Sequence, residues 1–61
     1  MSAENEAYAE GVRLLKELNA LREDVLNINA SDTQCKENAL QLLEQSRTKL
    51  KQALAVLAGL V

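Results

Sequence analysis

The stretch Asn27-Ile28-Asn29-Ala30-Ser31-Asp32-Thr33-Gln34 decides the fold, because it interrupts a chain whose pattern is otherwise helical. Asn, Ser, Asp and Thr side chains hydrogen-bond to nearby backbone groups and favour turns over helix interiors. Upstream of the break, Ala7, Gly11, Leu14, Leu18, Leu21, Val25 and Ile28 alternate at spacings of four and three residues. Downstream, Ala39, Leu43, Ser46, Leu50, Ala53, Leu57 and Leu60 keep the same rhythm. Equal stripes of that period on either side of a short turn read as two helices packed as antiparallel neighbours. The expected fold class is all-α: an antiparallel two-helix hairpin that dimerises into a four-helix bundle. The chain reads as one domain over residues 1–61, with helix one at about 3–28, a turn at about 29–32 and helix two at about 33–58.

Local signals set those limits. Ser2 is the expected N-cap of helix one, and Glu4, Glu6 and Glu10 place negative charge near the positive end of its dipole. Ser31 with Gln34 three residues later reads as a capping box for helix two, with Asp32 adding charge to the first turn. Gly59 is expected to take the left-handed C-cap conformation and fold Leu60 back onto the last turn.

Counting outward from the turn gives the facing layers Val25 with Ala39, Leu21 with Leu43, Leu18 with Ser46 and Leu14 with Leu50. The same count sets Gly11 against Ala53 and Ala7 against Leu57, so one layer is nearly empty of side chain. A glycine inside a helix costs about 1 kcal/mol relative to alanine, which points to close backbone approach or an inserted side chain there. Tyr8 on the flank, or a partner's side chain, is the expected filler.

The apolar stripe is wider than one hairpin seam uses. Tyr8 and Leu15 flank it on helix one, Leu40, Leu54 and Val61 flank it on helix two, and Val12, Leu26, Leu42 and Val56 lie further out. The last nine residues, Ala53 to Val61, carry no charge. That run is too short to span a bilayer, which takes about 20 apolar residues, so packing against another protein surface is the expected use.

Size and composition point the same way. At 61 residues the chain is near the length where burying enough apolar surface to fold alone becomes difficult. Small chains close that gap with disulfides, a metal or oligomerisation. Cys35 is the only cysteine and there is no histidine, which excludes an internal disulfide and leaves no zinc or iron ligand set, so no cofactor is expected. Oligomerisation or a partner remains. The 48% hydrophobic fraction is almost entirely Leu, Ala and Val, with Tyr8 the only aromatic residue. A net charge of −2 has the wrong sign for a general nucleic-acid binder. With no visible signal-peptide pattern and an unpaired thiol, the expected compartment is the cytoplasm.

No catalytic constellation is present in the pattern. Glu23 and Asp24 are adjacent, so on a helix they point about 100° apart and do not converge. Glu10 with Arg13, Arg13 with Glu17, and Glu44 with Arg47 read as helix-supporting pairs worth a few tenths of a kcal/mol each. Cys35 falls in the first turn of helix two, where the helix N-terminus would lower a thiol pKa. That would suit a redox or intersubunit crosslinking site, but the role expected first is a small apolar residue covering the turn.

In architecture the chain is similar to two groups of small helical hairpins, on its length and two-helix pattern. One is the Rop type of plasmid RNA-binding protein, a hairpin that dimerises into a four-helix bundle. The other is the short co-chaperone of type III secretion needle subunits, a hairpin that docks on a helical-repeat chaperone. Two functions are therefore expected in order. The first is a non-catalytic protein–protein interaction module, an adaptor, co-chaperone or inhibitor, acting through Tyr8, Val12, Leu15, Leu54, Val56, Leu57 and Leu60 near the open end. The second, implied by the Rop resemblance, is a dimer holding structured RNA through Arg13, Lys16, Arg47, Lys49 and Lys51.

Overall fold

The structure, a computed structural model, describes residues 2–29 and 31–60. Val61, expected on the flank of the second stripe, lies outside them. Two helices account for nearly all of the rest: α1 over Ala3–Leu26 and α2 over Thr33–Ala58. At 1.5 Å per residue they are about 36 and 39 Å long, and they pack side by side as a hairpin.

The caps explain where each helix begins and ends. The Ser2 hydroxyl accepts from the Asn5 N–H at 3.1 Å, and Glu4 and Glu6 occupy the first turn of α1. That helix stops at Leu26, a little short of its expected end, with Asn27 as C-cap donating to the Glu23 carbonyl at 3.1 Å. The Ile28 carbonyl just beyond is satisfied from the other helix, by Lys36 Nζ at 3.0 Å. A cation in the first turn of α2 thus serves the negative end of the α1 dipole.

Two expected caps are corrected. Asp32, not Ser31, is the N-cap of α2, with its carboxylate accepting from the Cys35 N–H at 3.1 Å. Gln34 does not close a capping box either, because its side-chain amide donates to Asn38 Oδ1 at 2.9 Å. A carboxylate at this position caps more strongly than a hydroxyl one residue earlier, since its charge also meets the helix dipole. At the other end Gly59 keeps a right-handed φ of −74°. The helix tightens into a last turn with Gly59 N–H on the Val56 carbonyl at 3.1 Å and Leu60 N–H on the Leu57 carbonyl at 2.9 Å. Leu60 stays 64% exposed.

The helices meet on a seam rotated from the expected one. On α1 the side chains withdrawn from solvent are Tyr8, Leu15, Leu18, Arg22 and Val25 together with Gly11, and Val12 sits at the margin. On α2 they are Lys36, Leu40, Leu43, Arg47, Leu50, Leu54 and Leu57, with Ala39 at the margin. Both sets keep the alternating spacing of a packed helix pair. Leu14, Leu21 and Ile28, which the apolar pattern placed in the seam, are instead 44%, 48% and 50% exposed. The nearly empty layer is filled by Leu54, not by Ala53 or Tyr8: a Cβ placed on Gly11 would collide with Leu54 Cδ2 and lie 3.4 Å from its Cγ. Leu54 is accordingly the most deeply buried large side chain among the described residues.

Candidate interaction face

The hairpin is a ribbon one helix deep, with Cα extents of 47 × 16 × 10 Å. Its two broad faces differ in chemistry, and heptad positions make the difference plain. The seam of α1 is Tyr8, Leu15 and Arg22 at a with Gly11, Leu18 and Val25 at d. That of α2 is Leu40, Arg47 and Leu54 at a with Lys36, Leu43, Leu50 and Leu57 at d. In an antiparallel pair the e positions of both helices then border one face and the g positions the other.

The e face is closed by charge. Arg22 Nε lies 3.4 Å from Glu44 Oε2, Arg47 Nη1 lies 3.1 Å from Glu44 Oε1, and Arg47 Nε donates to Asn19 Oδ1 at 2.9 Å. The Arg22–Glu44 and Arg47–Asn19 contacts tie α1 to α2, and the Arg47–Glu44 pair within α2 joins them, across a shallow polar groove that Gln41 and Glu23 also line. The arginine stems pack at seam positions while their heads reach the e face, as long basic side chains do when stem and head prefer different surroundings.

The g face is apolar and open. Leu14, Leu18, Leu21, Ser46 and Leu50 line one groove along it with Glu17 at its edge, and Val25, Ile28, Cys35, Lys36 and Ala39 line a second, nearer the turn, with Asp32 at its edge. Position c lies about 40° beyond g around the helix, on the same side, and there α2 carries Leu42 and Val56. The large hydrophobic side chains that stay exposed among the described residues are Leu14, Leu21, Leu26, Ile28, Leu42, Val56 and Leu60. Apart from Leu26, every one falls at g or c of the repeat, with Ile28 and Leu60 just beyond the ends of α1 and α2.

At the turn end of this face Cys35 is exposed, and its thiol donates to Asp32 Oδ2 at 3.1 Å. That hydrogen bond to a carboxylate, with desolvation second, raises the thiol pKa above its ordinary value. The shift is therefore opposite in direction to the lowering expected from the helix terminus. The same bond, followed by the Cys35 backbone N–H, holds the Asp32 carboxyl below its ordinary range.

The expected interface residues separate into two groups. Leu54 is buried in the seam, and Tyr8, Val12, Leu15 and Leu57 are half-buried, so the hairpin itself takes up much of their surface. Val56 and Leu60, at 70% and 64% exposure, belong to the apolar side. Leu14, Leu21, Ile28 and Leu42 join them there. Of the cations considered for RNA, Arg13 pairs with Glu10 and with Glu17 at 3.3 Å, and Arg47 is held by Glu44 and Asn19. Among the described residues no three His, Cys, Asp or Glu side chains gather as a metal-ligand group, and no helix is long and apolar enough to cross a membrane. No family model, curated protein or solved structure matches this chain.

Proposed function

We propose that this chain is a non-catalytic protein–protein interaction module that works by covering the apolar g face with other helices, in a four-helix bundle. The observation that carries this reading is the one-sided exposure of its large hydrophobic side chains. Single exposed leucines are ordinary, but a continuous apolar strip bordered by charge marks an association surface. A helix in a bundle uses three heptad positions rather than the two of an isolated pair, and here a, d and g are all predominantly apolar or small. An adaptor, co-chaperone or inhibitor would each use such a face.

Light scattering behind size-exclusion chromatography tests the proposal. The wild-type chain is expected to run at twice its formula mass or more, and Leu21→Asp at the monomer mass with its helical circular dichroism largely retained. Gln45→Asp, on the outer side of α2, should leave the assembly intact. Leu21→Asp forming the wild-type species would refute the placement of the interface.

A further inference from the structure

We propose that the occupant of the apolar face is a second copy of this chain, turned about a two-fold axis parallel to the helices, so that α1 of each protomer lies over α2 of its partner. This rests on the reading of that face as a helical interface and adds who covers it and how.

Shape comes first. The register set by Leu54 on Gly11 brings Leu14 to within about 3 Å, along the helix axis, of the level of Ala53, and likewise Leu21 of Ser46 and Ile28 of Ala39 across the face. These three layers therefore pair a large side chain on α1 with a small one on α2, giving a ridge beside a trough, and the order reverses at the open end, where Ala7 stands beside Leu60. A copy turned about an axis along the helices sets each ridge into the other's trough. A copy turned about an axis across the helices would stack ridge on ridge and leave trough facing trough, a void that costs packing.

Charge makes the same choice. Beside the ridge, the c positions of α1 are Glu10, Glu17 and Asp24, whereas α2 carries Leu42, Lys49 and Val56 there. The favoured arrangement lays the acidic border of α1 along a border with no acid, with Glu17 near the partner's Lys49 and with Asp24 and Glu10 beside the partner's Leu42 and Val56. The rejected one sets the acidic borders of both α1 helices against each other, which like charges oppose.

Area is sufficient. The chain exposes 4605 Å², against about 3,900 Å² for a compact monomer of its 6.7 kDa mass, an excess of about 700 Å². A standard interface removes about 800 Å² from each partner.

Cysteine pairing tests the geometry. In a Cys35→Ser background, Leu14→Cys and Ala53→Cys chains are refolded together and oxidised, and Ile28→Cys with Ala39→Cys repeats the test nearer the turn. The mixed disulfide is expected to exceed the same-variant products by about tenfold or more in both pairs, since only the mixed thiols lie on adjacent helices. Same-variant products in excess, or no mixed product from a species that light scattering shows to be a dimer, would overturn the arrangement while leaving the interface reading intact. A monomer at every concentration would overturn both.

Discussion

Gly11 is the residue on which the seam turns, because its missing side chain is the space Leu54 occupies. Gly11→Ala gains about 1 kcal/mol of helix propensity but must push Leu54 aside, and overpacking costs about 1–3 kcal/mol. The net expectation is a modest loss of stability in urea unfolding at fixed chain concentration. In a Leu54→Ala background the obstruction is gone, so the same substitution should stabilise by about 1 kcal/mol. A reversal of sign between the two backgrounds identifies the contact; the same sign in both would deny it. Asp32 gives a second residue-scale expectation. Its carboxyl pKa is lowered in the folded chain, so the stabilisation it gives is complete above its ordinary value of 3.8 and is lost as pH falls through the lower folded value. Asp32→Ala should therefore melt earlier than wild type at pH 7, and the gap should close in acid below the ordinary carboxylate range.

At the scale of the elements, both helices and the turn were legible because Asn27, Asn29, Ser31, Asp32 and Thr33 concentrate turn chemistry between two long periodic runs. Which face of each helix meets the other was not. The pattern matched d and g because Leu14, Leu21 and Ile28 are apolar, while two of the true a positions are Arg22 and Arg47, which read as solvent-facing. Their role emerges only when Glu44 and Asn19 are seen within reach on the e face. The apolar face did leave a trace: Leu14, Leu21 and Ile28 recur every seven residues opposite the small Ala39, Ser46 and Ala53. The charged contacts make a prediction of their own. Glu44→Lys removes two exposed ion pairs and sets three cations together, so the hairpin should lose about 1–2 kcal/mol at low ionic strength. The deficit should shrink markedly in about 1 M salt, where the screening length falls to about 3 Å. A deficit indifferent to salt would mean that packing of the Glu44 stem, and not its charge, holds that edge.

The molecule as a whole is a ribbon whose stability and assembly are one equilibrium. A chain that exposes more surface than its mass requires, and gathers most of its exposed large hydrophobic side chains on one face, gains stability from whatever binds that face, in proportion to the logarithm of its concentration. The 10 Å depth of the ribbon has a consequence for the backbone itself. With no second layer behind either helix, the amides of an isolated chain that face away from the seam are shielded only by their own helical turn, and such turns fray and reclose easily. Deuterium uptake should be rapid along both helices in dilute solution and should slow by a common factor as chain concentration rises, which turns amide exchange into a ruler of how many chains stand together.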